Sequence, residues 1–231
     1  MNKRLQAIES LVEPGDGLID VGTDHGYLPV SLARNGYPGA LFASDIGEGP
    51  LAAARRSAWE AGQEDRIEFQ LCDGLALCDP ARVDTIVIAG MGGDTICGIL
   101  DRAEWCMDGR YRLILQPMTR GEVLRYWLTN NGFSIERERL VSDGGEIYSL
   151  LCARFGGQQT LLDAELYTGA FSLIEQDPLW PAYSALLRGR LEKLLRGLRQ
   201  GGRDPGRLRL METIAEQLRE REAYGKRTGD L

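Results

Sequence analysis

Short apolar runs alternate with helix-like segments through the first 155 residues, and this alternation restricts the fold more than any other feature of the sequence. A chain of this kind predicts a parallel sheet with right-handed crossovers. Segments of helical spacing are predicted at residues 27–36, 50–62, 93–103 and 120–133. The predicted strands are residues 17–21, 40–46, 66–73, 84–91 and 111–117.

The last part of this region breaks the alternation. Residues 133–155 contain two strand-like runs joined by "SDGGE", a hairpin signal with no helix between them. A doubly wound sheet that ends in an antiparallel hairpin resembles the class I methyltransferase fold, whereas a dehydrogenase would continue with strand and helix. We therefore predict an α/β, Rossmann-like methyltransferase domain over residues 1–155.

The carboxyl-terminal part of the chain has a different composition. After a linker at residues 156–160, no convincing strand follows, and helices are predicted over 161–176, 181–200 and 208–227. A leucine stripe in the second of these helices is typical of helix–helix packing. We predict a separate, coiled-coil-like helical domain over residues 160–231.

Bulk composition narrows the class of protein. The formal net charge is −7, the five cysteines form no CxxC pair, and His25 is the single histidine. This usage argues against a zinc site or disulfide framework and favours a reducing cytoplasm. No stretch approaches the ~20 apolar residues of a membrane span. We expect neither a bound metal nor a membrane partner.

Positive charge is concentrated in one segment of this acidic chain. Residues 184–210 carry eight basic and two acidic residues. This charge fits either a solvated helix face or a surface that contacts phosphates. The basic residues are Arg188, Arg190, Lys193, Arg196, Arg199, Arg203, Arg207 and Arg209.

Acidic residues stand at the ends of three predicted strands, where open α/β sheets bind ligands. Asp20 and Gly22 lie at the end of the first, in "LIDVGTDHG", and Gly22 allows close backbone approach. Asp45 ends the second and is suited to accept from two ribose hydroxyls. Asp73 ends the third and is suited to an adenine amine. Each acid alone could merely cap a turn, but the three together indicate a nucleoside site.

The glycine pattern separates the candidate ligands. "VGTDHG" has only Gly22 and Gly26, and lacks the GxGxxG that a diphosphate favours. S-adenosylmethionine, which has no phosphate, is therefore favoured over a nicotinamide or flavin. "AGMGG" (89–93) follows the fourth strand and lacks the Asp/Asn-Pro-Pro-aromatic tetrad of exocyclic-amine methylases. It also fits a plain strand-to-helix turn.

The order and spacing of several motifs resemble the bacterial tRNA (adenine22-N1)-methyltransferase family. The motifs are "LIDVGTDHGYLP", "ASDIGEGPL", "CDGL", "IVIAGMGG", "LILQP" and "LRYWLTNNGF". The resemblance implies dependence on S-adenosylmethionine and a carboxyl-terminal helical domain that helps to hold tRNA. One departure is Met118-Thr119-Arg120 after "LILQP", where relatives often carry Asn after the proline.

Site residues follow from these motifs. The resemblance implies a cofactor site of Asp20, Gly22, Asp45, Asp73 and Gly74, which we expect Gly26, Ile46, Ala89 and Gly90 to complete. Asp24, Met91 and Gln116 are implied to face the target base, with His25 as a second catalytic candidate. The predicted substrate contacts are Tyr27, Gly92, Gly93, Arg188, Arg190, Lys193 and Arg196, and Lys3 and Arg4 are further candidates for phosphate contacts.

The predicted reaction is methylation of adenine N1 at position 22 of tRNA. The N1 lone pair needs no prior deprotonation, so alignment with the methyl donor is the main requirement. The nucleotide must be extruded, Tyr27 is placed to stack on it, and Asp24 is placed to stabilise the charge that develops near N6. His25 or Tyr27 could equally be packing residues.

Other functions remain open at this point. A small-molecule methyltransferase on the same fold and a catalytically silent S-adenosylmethionine- or RNA-binding protein are the alternatives. We expect tRNA as partner, no protein partner, and a monomer or weak dimer.

Overall fold

The computed structural model describes residues 2–201 and 204–228, with side chains through residue 224. By its internal contacts the chain divides into two units, residues 1–159 and 160–231. The strands of the first unit are β1 Leu18–Val21, β2 Leu41–Asp45, β3 Ile67–Leu71, β4 Thr85–Gly92, β5 Arg112–Thr119, β6 Phe133–Asp143 and β7 Glu146–Phe155.

These strands form one seven-stranded sheet in the order β3-β2-β1-β4-β5-β7-β6. Strands β1 to β5 are parallel, and β7 runs antiparallel to both β5 and β6. The order reverses between β1 and β4, which is the point where such sheets open a ligand crevice. The predicted Rossmann-like sheet with a terminal antiparallel hairpin is confirmed.

Helices accompany the sheet and make up the second unit. Residues at the middle of the sheet, such as Ile86, Val87 and Ile114, are completely buried, as expected of parallel strands covered on both faces. The helices are α1 Lys3–Glu9, α2 Tyr27–Arg34, α3 Glu48–Glu60, α4 Gly93–Asp101, α5 Gly121–Asn130, α6 Asp163–Thr168, α7 Phe171–Ile174, α8 Trp180–Gly201 and α9 Pro205–Thr228.

A β-bulge in β6 turns an acidic residue into the core. The register with β7 shifts between Ile135 and Arg137, and after this shift Glu138 faces inward. Its Oε1 accepts from Arg125 Nε at 2.6 Å, and Arg125 Nη2 donates to Ser149 Oγ at 3.3 Å. The side chains of Arg125 and Glu138 are 1% and 0% exposed to solvent. The hairpin is therefore tied to α5 by a buried ion pair.

The second unit is helical, and one predicted helix is wrong. The helix expected over 161–176 is two short helices, α6 and α7, because Gly169 adopts φ +118 after α6. Helices α8 and α9 pack as an antiparallel pair, since Arg199 binds Glu212 near one end and Arg188 binds Glu222 near the other. Their buried faces include Leu187, Leu191 and Leu195 on α8, and Met211, Ile214 and Leu218 on α9.

No helix within residues 2–201 and 204–228 is both long and apolar enough to cross a membrane.

Candidate functional site

The parallel register brings the ends of the first four strands to one edge of the sheet. Val21 of β1 lies opposite Ser44 of β2 and Ile88 of β4. On the other side of β2, Asp45 lies opposite Leu71 of β3. The segments that follow these residues therefore meet, and they contain the predicted cofactor site.

The loop after β1 is anchored on β2 and covered from β4. The backbone N–H groups of Gly22 and Thr23 donate to the Ser44 carbonyl at 2.8 and 3.0 Å. Gly22 has φ +69, and a Cβ added there would lie 2.0 Å from the terminal methyl of Met91. The positive φ favours glycine at this position, and the methyl at the flexible end of the Met91 side chain covers it.

Asp20 is buried directly beneath this loop. The Thr23 hydroxyl donates to its Oδ2 at 2.7 Å. Burial raises the pKa of Asp20 to about 7, the Thr23 hydrogen bond offsets part of the rise, and the neighbouring Asp45 carboxylate adds to it. Asp20 therefore supports the loop with a carboxyl group that readily holds a proton near neutral pH.

Asp45 organises the adjoining loops with its two carboxylate oxygens. Oδ2 accepts from the Asp24 backbone N–H at 3.2 Å, and Oδ1 accepts from the Gly47 N–H at 2.9 Å. A carboxylate has about four acceptor positions, so both oxygens can take further hydrogen bonds. The next side chain, Ile46, is 73% exposed, which is unusual for isoleucine and provides an apolar surface beside the carboxylate.

Asp24, His25 and Tyr27 form an exposed group on the same loop. Asp24 has φ +52, and its side chain is 68% exposed. His25 Nε2 lies 3.7 Å from Asp24 Oδ1, and the His25 ring stacks on Tyr27 with centroids 5.3 Å apart. Gly26 between them serves packing, because a Cβ there would lie 3.0 Å from that of Ala54 on α3. The group thus presents a carboxylate and two aromatic rings to solvent.

The loop after β3 contains the predicted Asp73 and Gly74. Asp73 Oδ1 accepts from Arg102 Nη2 at 2.9 Å, a partner that the sequence patterns did not indicate. Gly74 has φ +60, its carbonyl accepts from Ser44 Oγ at 3.0 Å, and a Cβ there would meet Ile99. Asp73 therefore reaches the site edge with one oxygen already paired.

The end of β4 is irregular through "AGMGG". Its register with β5 shifts after Ala89, and Gly90 has φ +82 with no atom within 4 Å of an added Cβ. Gly92 ends β4 and caps α4, while a Cβ on Gly93 would lie 2.2 Å from the Arg120 carbonyl oxygen. Gly92 and Gly93 thus form the strand-to-helix turn, and their predicted substrate contact stays a prediction.

Gln116 of β5 is completely buried, and its side chain contacts β4 and α1. Its Oε1 accepts from the Gly90 N–H at 3.2 Å and from Arg4 Nη1 at 3.1 Å, while its Nε2 donates to the Pro117 carbonyl at 2.9 Å. Its amide is therefore used within the protein, and the predicted contact with the base stays a prediction. No local pattern could reveal Arg4, which lies 112 residues away.

The predicted phosphate contacts lie on α8 in the second unit. Arg188 is bound to Glu222, whereas Arg190, Lys193 and Arg196 are exposed. Arg203 lies outside the described residues. Lys193 and Arg196 lie on the face of α8 opposite its buried leucines, so this positively charged face is exposed to solvent.

Metal ligands are not grouped in this part of the molecule. Where the structure describes the chain, no cluster of three or more His, Cys, Asp or Glu side chains could hold a metal ion. All five cysteines are unpaired thiols.

Comparison with known proteins places this geometry in a family. Residues 1–151 match the family model described as "Methyltransferase domain". The Bacillus subtilis tRNA (adenine(22)-N(1))-methyltransferase is 32% identical over 163 residues, covering 71% of this chain and 68% of that protein.

Solved structures agree over nearly the whole chain. A Streptococcus pneumoniae protein in complex with S-adenosyl-L-methionine is 31% identical, has a TM-score of 0.79, and is matched over 92% of this chain and 98% of its own. The crystal structure of the Bacillus subtilis m1A22 tRNA methyltransferase is 27% identical with a TM-score of 0.74 and 96% coverage of both chains. The chain therefore belongs to the tRNA (adenine(22)-N(1))-methyltransferase family.

Proposed function

We propose that this protein transfers the methyl group of S-adenosylmethionine to N1 of adenine 22 in tRNA. The observation that carries the proposal is the hydrogen bond from the Asp24 N–H to the Asp45 carboxylate. It joins the acid suited to a cofactor ribose to the loop that exposes a carboxylate and two stacked rings. Membership of the family supplies the reaction and the nucleotide.

The residues at the site edge fit S-adenosylmethionine. Its ribose hydroxyls require acceptors, which Asp45 offers, and its flat adenine requires apolar surface, which Ile46 offers. Its sulfonium and ammonium groups are cationic, and the edge carries the acidic side chains of Asp24, Asp45 and Asp73. A diphosphate would meet repulsion from these carboxylates, so the charge of the edge favours a cationic cofactor.

The protein's residues must align the base with the methyl donor, stabilise the charge that the base acquires, and receive the extruded nucleotide. S-adenosylmethionine supplies an electrophilic methyl group on a sulfonium centre. Adenine N1 attacks with its lone pair, so the protein must hold the base in line rather than deprotonate it first. Gly90, near the end of β4, has no atom within 4 Å of an added Cβ and therefore leaves room for this approach.

Asp24 acts on the charge that the base acquires. Methylation at N1 makes the adenine cationic until a proton leaves N6. A carboxylate near N6 stabilises that charge and accepts the proton. The Asp24 carboxylate is free for this role because the Asp45 bond uses only its backbone N–H, and His25 lies 3.7 Å away as the next proton carrier.

Tyr27 and His25 receive the extruded base. N1 is inaccessible in a paired or stacked adenine, so the nucleotide must leave its stack. Tyr27 is 52% exposed and already stacks on His25, so its outer face is available to a base at little conformational cost. The tRNA backbone would be held by Arg190, Lys193 and Arg196 in the helical unit.

Methyl transfer from labelled S-adenosylmethionine to tRNA transcripts tests the proposal. We expect 1-methyladenosine in a transcript with adenine at position 22, and none when guanine replaces it. Asp24→Asn should reduce the rate, while Asp65→Asn, at an exposed acid on the 3-10 helix before β3 and so away from the carboxyl ends of the strands, should not. Cofactor binding without any tRNA methylation would instead indicate a small-molecule substrate.

A further inference from the structure

We propose that Arg4 is a positioning residue for the methyl-transfer site, acting through Gln116 on the irregular Gly90–Met91 segment at the end of β4. The expected effect of Arg4 on kcat rests on the proposed function. The expected link from Arg4 through Gln116 to Met91 does not. Arg4 stands on α1, outside all the motifs at the strand ends, and reaches the end of β5 from there.

The contacts of Arg4 point into the protein. Nη1 donates to Gln116 Oε1 at 3.1 Å and lies 3.0 Å from the sulfur of Met118. The guanidinium carbon stands 5.4 Å from the centre of the Tyr148 ring, within the range of a cation–π contact. Nε is buried and has no hydrogen-bond partner among the described residues. The side chain is thus held from several sides.

Gln116 transmits this contact to β4. Its Oε1 takes the Arg4 hydrogen bond and, at 3.2 Å, the N–H of Gly90. Gly90 has φ +82, lies at a register shift, and directly precedes Met91, whose methyl covers Gly22. A buried amide can rotate about its last torsion, and two donors on one oxygen set its orientation. Losing Arg4 would therefore loosen the irregular end of β4 that contains Met91.

A phosphate contact is the other role for an arginine at this place. Phosphates are usually bound by two parallel N–H groups of the guanidinium fork. In this structure Nε is covered and Nη1 is already used. The geometry therefore favours a positioning role over the phosphate contact expected from the sequence.

Two variants of Arg4, one without the positive charge and one that keeps it, distinguish a positioning role from a phosphate contact. Arg4→Leu removes both charge and hydrogen bonds, while Arg4→Lys keeps the charge without the planar fork. Arg34→Leu, an exposed arginine at the end of α2, is the matched control. The readouts are kcat and KM for tRNA, and the ¹³C-methyl resonances of labelled methionines in the chain without tRNA or cofactor.

For a positioning role, both Arg4 variants should lower kcat about ten- to a hundredfold, with KM for tRNA changed less than about threefold. The Met91 methyl resonance should move, while that of Met211 in the helical unit and all resonances of Arg34→Leu should stay. Gln116→Met should cause a similar loss of kcat, and adding Arg4→Leu to it should cost little more. Gln116→Met also provides the test if Arg4→Leu fails to fold.

A rise in KM with kcat retained, recovery in Arg4→Lys, and an unmoved Met91 resonance would overturn the proposal in favour of a phosphate contact. Because the resonance is measured without tRNA, it tests the link from Arg4 to Met91 even if the wild-type chain methylates no tRNA. An unchanged Met91 resonance in both Arg4 variants and in Gln116→Met would overturn that link by itself.

Discussion

The backbone N–H of Asp24 donates to Oδ2 of Asp45 at 3.2 Å, so the main chain of Asp24, and not its carboxylate, makes this contact. The main chain closes the loop after β1 onto the end of β2. The residue has φ +52, and its side chain, which this bond does not use, is 68% exposed. Residues other than glycine rarely adopt this conformation, and such outliers cluster at functional sites.

Replacing Asp24 by glycine or alanine should distinguish the effect of its positive φ on stability from the effect of its carboxylate on methyl transfer. Both variants lose the carboxylate, so both should lose methyl transfer to a similar extent. Glycine adopts positive φ without strain, so Asp24→Gly should be more stable than Asp24→Ala by about 1 kcal/mol. Urea unfolding measures the difference, and equal stabilities would mean that the loop gives up its left-handed conformation in the variant.

Asp45→Asn should weaken cofactor binding. One carboxylate oxygen becomes an amide that cannot accept, and the remaining oxygen is neutral. Losing charge-assisted hydrogen bonds of this kind costs about 1.5–3 kcal/mol, so Kd for S-adenosylmethionine should rise about ten- to a hundredfold. Isothermal titration calorimetry measures it, with Asp65→Asn as an exposed acidic control. An unchanged Kd would remove Asp45 from the ribose contact.

Asp20 should make stability fall between acid and neutral pH. The carboxyl ionises near pH ~4 in the unfolded chain, whereas burial raises its pKa to about 7 in the folded chain. Between these values only the folded chain holds the proton, so this residue lowers the free energy of unfolding as pH rises, by about 1.4 kcal/mol per pH unit, and the loss levels off above pH 7.

Asp20→Asn should abolish this contribution, because the amide does not titrate and its oxygen still accepts from Thr23. The variant should therefore gain stability relative to the wild type as pH rises from 5 to 8. Urea unfolding at both pH values measures the gain. Parallel pH profiles for the two proteins would show that Asp20 ionises normally.

Glu138→Gln should be strongly destabilising. It removes the negative charge that faces the buried Arg125 guanidinium, and breaking a buried pair in this way costs about 3–5 kcal/mol. The exposed neighbour Glu136, 3.6 Å from Arg154, is the matched control, and Glu136→Gln should cost less than about 1 kcal/mol.

The double variant Arg125→Met with Glu138→Leu tests the same pair differently. Removing both charges should recover most of the stability lost in Glu138→Gln, because no unpaired charge remains buried. Urea unfolding of all three variants provides the comparison. A double variant no more stable than the single one would show that the pair contributes more than mutual neutralisation.

Much of the fold could be predicted because its signals are local. The alternation of apolar runs and helical segments identifies the parallel sheet, and "SDGGE" identifies the hairpin. The long α6 prediction failed for a local reason as well. Helical spacing continues across residues 161–176, but Gly169 interrupts it with a backbone conformation that spacing does not report.

The sequence alone was enough to identify the acids near the strand ends, since Asp20, Asp45 and Asp73 lie within the last residues of their strands or just after them along the chain. It did not determine what those residues contact. The pairing of Asp73 with Arg102, the bulge that buries Glu138, and the reach of Arg4 to Gln116 depend on packing between distant segments. The position of a residue near the end of a strand follows from the order of residues along the chain. A hydrogen bond between distant segments forms only when the chain has folded.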